Sequence, residues 1–273
     1  MRQPKLPPMT MAELRAVAQP PSTMNRHNAE HWAGPLYLRK LSIYLTRYVF
    51  LPLGMTPNAV TWLMVFIGAG GAAVLVWPSW WATLICALAM QLQICVDCSD
   101  GEVARTRKLY SPAGVYIDRI GHYSSEALLA IGLGIHVDGG LGSIDGWTTV
   151  GALTAVAILM NKAFTDLVHV ARAANGLPKL NDVEAVTVMR IGLLAKLRGA
   201  LKAFPIFRVF ISIEFSLIIF VLASIDALDH GAHSLRGFVL VMLPLSVLLA
   251  GGHLLAVLLS SRLKPPSTDS ALQ

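Results

Sequence analysis

Residues 48–96 of the chain read YVFLPLGMTPNAVTWLMVFIGAGGAAVLVWPSWWATLICALAMQLQICV and contain no Asp, Glu, Lys or Arg. The run can hold two membrane spans, because a helix needs roughly 20 apolar residues to cross a bilayer core. Backbone polar groups in lipid must be satisfied within their own segment, so both spans are predicted to be helices. This stretch predicts an integral membrane protein.

The composition of the whole chain agrees with that prediction. The 273 residues are 55% hydrophobic and 14% charged, whereas a typical soluble domain has roughly 25% charged residues. The mean hydropathy is +0.59. These values argue against a disordered protein, a coiled coil and a disulfide scaffold, and they make a water-soluble globule an unfavourable alternative.

Further apolar runs follow the first and complete the predicted fold. The fold class is all-α, a polytopic membrane protein with an N-terminal amphipathic helix lying in the interface over about 31–53. A second amphipathic segment covers 183–204. We expect a single membrane domain over 31–262, between flexible cytoplasmic tails at 1–30 and 263–273. The six predicted spans lie near residues 58–76, 79–96, 115–136, 147–170, 207–226 and 237–260.

Basic residues predict the orientation of the spans. Most of the 22 Lys and Arg residues fall before the first span, between alternate spans and after the last one. Because such loops face the cytoplasm, we expect both termini there. The net charge of +6 then reflects topology and attraction to anionic membrane lipids. Nucleic-acid binding is the alternative for so basic a chain, and we discount it because the charges mark membrane edges.

Carboxylates cluster where the second predicted span leaves the membrane. Residues 97–105 read DCSDGEVAR, and Gly114, Asp118 and His122 follow. Asp97 and Asp100 are three residues apart, so a helix places both on one face, and Asp118 and His122 share a face for the same reason. If the two helices form a hairpin, their ends bring three aspartates and one histidine together.

Such a cluster is chemically informative at a membrane edge. Neighbouring carboxylates repel one another and are costly to desolvate, and a divalent cation resolves both problems. Oxygen ligands favour a hard ion such as Mg²⁺, and Mg²⁺ in turn favours a phosphate substrate. The alternative for an isolated pair of aspartates is a solvated helix surface.

The stretch resembles the signature of the CDP-alcohol phosphotransferase family, D-x2-D-G-x2-A-R-x8-G-x3-D-x3-D. Seven of its eight fixed positions match over residues 97–122. The wider plan, with an interfacial helix, Thr56-Pro57-Asn58 before the first span and six spans, resembles the family over roughly 40–260. Residues at the matching positions are Asp97, Asp100, Gly101, Ala104, Arg105, Gly114 and Asp118.

The resemblance implies a homodimeric membrane enzyme of lipid synthesis whose active site faces the cytoplasm. Members transfer a phosphoalcohol, often phosphatidyl, from a CDP-linked donor to an alcohol acceptor, and they release CMP with Mg²⁺ or Mn²⁺. The first three aspartates, Asp97, Asp100 and Asp118, would hold metal. By the same resemblance, Gly101, Ala104 and Gly114 would line the CDP pocket, with Arg105 beside it.

The sequence departs from the signature at its fourth aspartate, which is His122 here. In the family that aspartate is proposed to activate the acceptor hydroxyl. A neutral imidazole can act as a general base, so we take His122 as the catalytic base. Glu126, one turn further on the same face, could supply the missing carboxylate. Altered or lost activity, with a CDP-binding regulatory role, is the alternative.

The sequence is compatible with more than one pair of donor and acceptor. CDP-diacylglycerol with glycerol phosphate, inositol phosphate or serine is one combination, and a soluble CDP-alcohol with a lipid acceptor is another. A polytopic transporter that uses the aspartates as a cation site is a further alternative. Lys162, Asp166 and Arg172 form a polar stripe on the fourth span. It contains either a structural Lys162–Asp166 pair or groups that bind an anionic substrate.

Overall fold

A computed structural model describes residues 9–24, 33–178, 180 and 206–264 of the protein. The prediction of an all-helical chain is confirmed, since no strand occurs within these ranges. The amphipathic segment predicted over 183–204 lies outside the described residues. We number the α-helices in chain order: α1 Met11–Ala18, α2 Pro21–Met24, α3 Arg39–Leu45, α4 Pro57–Val74, α5 Trp80–Arg107, α6 Pro112–Asp138, α7 Gly146–Ala174, α8 Ser212–Leu228 and α9 Ser234–Leu258.

Shorter helical turns join the longer elements. The π-helical turns Gly34–Leu38 and Thr46–Phe50 flank α3, so the predicted interfacial segment is helical over most of its length. The 3₁₀ turns Ile206–Phe210 and Ser261–Leu263 lie before α8 and after α9.

Four helices of the described chain are long and apolar enough to cross a membrane, namely α4, α5, α7 and α9. Helix α6 is polar around residues 122–126, and α8 has 17 residues. Helix length and composition therefore support a membrane-embedded protein with four candidate spans, and they do not confirm the six predicted.

The connection between α5 and α6 is short, and it fixes the position of the motif. Helix α5 ends at Arg107, and the capping residue Lys108 adopts the left-handed conformation with φ 55°. The Ser111 side chain then accepts a hydrogen bond from the Gly114 N–H and caps α6, with Pro112 in the first turn. Such a cap satisfies one of the free N–H groups of a helix start. The two halves of the motif are consequently held at adjoining helix ends.

Helix α6 is central to the packing. It packs closely against α4 and α7, while α4 also packs against α5 and α7 against α9. Glycines permit the α6–α7 contact: a Cβ on Gly151 would lie 2.4 Å from the Ala130 carbonyl oxygen. This close approach sets α6 and α7 face to face, which brings the polar residues of both helices together.

The N-terminal helix α1 docks on the rest of the molecule. Thr10 and Glu13 form a capping box at its start, and the Thr10 backbone N–H and hydroxyl lower the pKa of the Glu13 carboxyl. Leu14 and Ala18 are buried in a cluster with Ile43. Helix α1 lies inside the segment that we expected to be a tail, so part of that segment is a docked helix.

Candidate functional site

The last third of α5 presents the motif on two opposite faces. Helical spacing places Asp97, Asp100, Gly101 and Ala104 toward α4 and α6. The other face, which carries Glu102, turns toward α1 and α3. The first turns of helix α6 lie on the side of α5 that carries the aspartates.

Asp97, Asp118 and His122 form the centre of the site. Their potential ligand atoms all lie within 4.8 Å of one another. The His122 Nε2 atom is 3.4 Å from Asp97 Oδ1 and 3.4 Å from Asp118 Oδ1. The imidazole is one quarter exposed. Two carboxylates thus face a single imidazole nitrogen.

Asp100 lies beside this cluster and contacts α4. The Thr61 hydroxyl donates a hydrogen bond of 2.7 Å to Asp100 Oδ2. Asp100 and Asp118 both line one cavity between α4, α5 and α6. The structure therefore brings all three predicted metal ligands and His122 to one place.

The cavity has a volume of about 230 Å³ and adjoins the aspartates. Gly101, Ala104 and Gly114, which were predicted to line a nucleotide pocket, line it, and so does Asn58 of α4. A Cβ on Gly114 would lie 2.9 Å from Asn58 Oδ1, so a side chain at this position would press on the cavity wall. The complete lining is Pro57, Asn58, Thr61, Asp100, Gly101, Ala104, Leu109, Tyr110, Ser111, Gly114, Val115 and Asp118.

Arg105 was expected beside the pocket, and its side chain lies against Gly101, which lines the cavity. Its guanidinium lies against Gly101: a Cβ there would be 3.0 Å from Arg105 Nη1. The Arg105 Nε–H donates to the Ala18 carbonyl at the end of α1. Arg105 itself does not line the cavity. Its contact with the cavity is therefore indirect, through Gly101.

Glu102 lies within the motif but was not among the predicted site residues. It is fully buried and accepts hydrogen bonds from Ser42 Oγ at 2.5 Å, Thr46 Oγ1 at 2.6 Å and Gln19 Nε2 at 2.7 Å. A buried carboxylate needs such donors because its charge is otherwise costly. The nearest sequence signal was the Thr10-x-x-Glu13 capping box, which predicts the helix that ends beside Gln19.

Glu126 does not join the three-residue cluster. Its Oε2 atom is 2.9 Å from Lys162 Nζ on α7, and its side chain is almost fully buried. A second cavity, of about 190 Å³, is lined by both residues together with Asn161 and Ser246. The Asn161 Oδ1 atom is buried without a hydrogen-bond partner in the described part of the chain. Glu126 is therefore paired with Lys162 at this cavity, one turn from His122.

Lys162 and Asp166 do not pair with each other. Asp166 forms an ion pair with Arg119 and accepts a hydrogen bond from the Tyr123 hydroxyl at 2.5 Å. Lys162 and Asp166 thus each pair with a residue of α6, and not with each other as helical spacing suggested.

Arg172 lies further along α7 and is buried. Its guanidinium donates to the backbone carbonyls of Pro178 and Arg262. These contacts join the end of α7 to the turn that follows α9. Arg172 is not among the residues that line the two cavities described above.

The donor set at the centre fits a divalent cation. Asp97 and Asp118 converge with His122, and Asp100 adds a third carboxylate at the adjoining cavity. Carboxylate oxygens are ligands that suit Mg²⁺ and Mn²⁺. Like charges this close favour a cation between them.

No protein-family model and no curated protein sequence matches the chain. The motif and the geometry of the site are therefore the features that point to a function.

Proposed function

We propose that the protein is a metal-dependent CDP-alcohol phosphotransferase that transfers a phosphoalcohol group from a CDP-linked donor to an alcohol and releases CMP. The observation that carries the proposal is the convergence of Asp97, Asp118 and His122 within 4.8 Å. The adjoining cavity, whose walls include Gly101, Ala104 and Gly114, supports it. These residues stand at the positions where the sequence resembles the family signature.

The proposed topology has six spans, with both termini and the site at the cytoplasmic side. Helix α6 has 27 residues, which at 1.5 Å per residue is about 40 Å, longer than a bilayer core. Its polar groups Tyr123 and Glu126 contact α7, so they do not require exposure to lipid. Polar groups that face another helix are compatible with a span.

The donor would bind with its nucleotide in the cavity of about 230 Å³. Small residues at 101, 104 and 114 let a flat or bulky group approach the helix backbones. Asp97, Asp100 and Asp118 would hold Mg²⁺ or Mn²⁺ beside the pyrophosphate. A divalent cation held there supplies charge neutralisation for the pyrophosphate oxygens.

His122 would act as the base. As the acceptor oxygen forms a bond to the distal phosphorus of the donor, its proton passes to the imidazole and the bond to the leaving CMP breaks. Asp97 and Asp118 each place an oxygen 3.4 Å from the Nε2 atom of His122. Two carboxylates at this distance stabilise the imidazolium that forms.

The acceptor would approach from the second cavity, which lies one helical turn from His122 and contains Glu126 and Lys162. The Glu126–Lys162 ion pair and the Asn161 side-chain oxygen, which has no hydrogen-bond partner among the described residues, would offer hydrogen bonds to a polar alcohol. Because Lys162 is already paired with Glu126, we do not assign it to an acceptor phosphate.

The test is release of CMP by the purified protein, measured by mass spectrometry. Donors are CDP-diacylglycerol and soluble CDP-alcohols, and acceptors are glycerol phosphate, inositol phosphate, serine and diacylglycerol. We expect CMP with one donor–acceptor pair, dependent on Mg²⁺ or Mn²⁺ and abolished by chelation. Donor binding without turnover on any acceptor would favour a regulatory protein. Cation transport in liposomes without CMP release would favour a transporter.

A further inference from the structure

Helix α1 reaches the motif helix at two neighbouring points. The Ala18 carbonyl, at the end of α1, accepts a hydrogen bond from Arg105 Nε. The next residue, Gln19, uses its amide nitrogen to donate to Glu102 Oε1 at 2.7 Å and to the Arg39 carbonyl at 2.7 Å. Gln19 thus links α1, α3 and α5.

The two residues that α1 contacts flank the cavity wall. Glu102 follows Gly101 directly, and Arg105 lies one turn later with its guanidinium against Gly101. Gly101 and Ala104 line the cavity on the other face of the same turns. A shift in the position of α1 would consequently be transmitted through α5 to the surface that faces the nucleotide.

Arg105 depends on α1 for its position. In the part of the chain that the structure describes, its Nη2 atom is buried and has no hydrogen-bond partner. The bond to the Ala18 carbonyl is therefore a principal restraint on a guanidinium that lies 3.0 Å from the Cβ position of Gly101. Without α1, a buried charged group would be left to find new partners beside the cavity.

The docking of α1 is specific. Its start is fixed by the capping box of Thr10 and Glu13, and Arg47 donates a 2.7 Å hydrogen bond to the carbonyl of Met9. Leu14 is 1% exposed against Ile43 of α3. Both ends of α1 are therefore attached, and the helix covers the rear of the motif.

We infer that helix α1 is a positioning element for the nucleotide cavity, acting through the Ala18 carbonyl and the Gln19 amide on Arg105 and Glu102. It sets the affinity of the cavity for a nucleoside diphosphate. The inference rests on the proposed function, because it assigns the cavity to the nucleotide of the donor. By linkage, a nucleotide that binds better when α1 is docked must also stabilise the docked α1 by the same factor.

The experiment uses the full-length protein and radiolabelled CDP with Mg²⁺ in equilibrium dialysis. Leu14→Asp places a charge in the buried contact and undocks α1. Ala12→Asp places the same charge on the exposed face of α1 and is the matched control. Gln19→Ala removes both amide hydrogen bonds without burying a charge, and it decides the question if Leu14→Asp does not fold.

We expect CDP binding about fivefold weaker in Leu14→Asp and Gln19→Ala, at the lower end of typical coupling between sites. Ala12→Asp should bind as the wild type does. With the active donor, KM should rise by a similar factor while kcat stays within about twofold, since α1 does not touch the reacting atoms.

A second readout reports on α1 itself. Trypsin cleavage after Arg15, followed by mass spectrometry, should be slowed by CDP and Mg²⁺ in the wild type and accelerated in Leu14→Asp. If the wild type binds CDP and both variants bind it equally well, the inference is wrong and the proposed function stands. If the wild type neither binds CDP nor releases CMP, the proposed function fails, and the inference fails with it.

Discussion

Asp100 and Glu102 are two acids on the same turn of α5 that face opposite sides of the helix. Asp100 lines the cavity and accepts a hydrogen bond from Thr61. Glu102 is fully buried and accepts hydrogen bonds from three side chains, those of Gln19, Ser42 and Thr46. The protein thus supplies Glu102 with its partners, whereas Asp100 has Asp97 and Asp118 for neighbours.

The difference separates two uses of charge in a membrane protein. A carboxylate whose donors are all provided by the fold contributes to the structure, and removing it leaves those donors unsatisfied. A group of carboxylates that face one another remains available to a ligand that carries positive charge. The first kind should be required for stability and the second for activity, and variants of each kind test this contrast.

The largest effect is expected for Asp97→Asn. Turnover should fall about a thousandfold, since a group that stabilises transition-state charge is lost. Thermal stability in detergent should be unchanged or higher because repulsion with Asp118 is relieved. CMP release and thermal unfolding measure the two properties. If the Asp97→Asn variant were active but unstable, Asp97 would have a structural role like that of Glu102.

His122→Ala should lower kcat about a hundredfold, the contribution of a general base. His122→Asp should restore part of the rate and move the acid limb of the pH–rate profile to lower pH, because an ordinary carboxyl has a lower pKa than an imidazole. Rates measured from pH 4 to 9 test this. Near-normal turnover of His122→Ala would rule out the base assignment.

Glu102→Gln should destabilise the protein by about 2–4 kcal/mol, because an amide cannot accept from all three donors as the carboxylate does. Chemical or thermal unfolding in detergent gives the value. Asp229→Asn, an exposed acid in a loop, is the matched control and should be neutral. Unchanged stability of Glu102→Gln would remove the contrast between the two acids.

The smallest effect is expected for Gly114→Ala. The added methyl would lie 2.9 Å from Asn58 Oδ1, and overpacking of about 1 kcal/mol corresponds to a roughly fivefold higher KM for the donor. Gly70→Ala is the control, since a Cβ there meets nothing within 4 Å. Equal KM values for the two variants would argue that the cavity wall does not contact the donor.

The helical fold and the cluster of aspartates could be predicted from the sequence because both follow from local pattern. Uncharged runs indicate spans, and spacings of three and four residues place Asp97 with Asp100 and Asp118 with His122. The short connection between α5 and α6 then brings both pairs together. The partners of single charges could not be predicted, because tertiary packing decides them.

Lys162 is the clearest example of a charge whose partner could not be predicted from the sequence. Its spacing from Asp166 favours a local pair, but the close contact of α6 and α7 gives it Glu126 instead. Arg105 is similar: it lies beside the cavity, against Gly101, but its hydrogen bond to the carbonyl of Ala18, 87 residues away in sequence, could not be predicted. The contact with α1 had no signal beyond the capping box.

Binding of Mn²⁺, followed by electron paramagnetic resonance, tests the central claim that Asp97, Asp100 and Asp118 hold a divalent cation. Wild type and Glu102→Gln, measured below its unfolding temperature, should bind Mn²⁺ saturably. Asp97→Asn and Asp118→Asn should lose that binding. Saturable binding that persists unchanged in both aspartate variants, or no binding by the wild type with CDP present, would contradict the account.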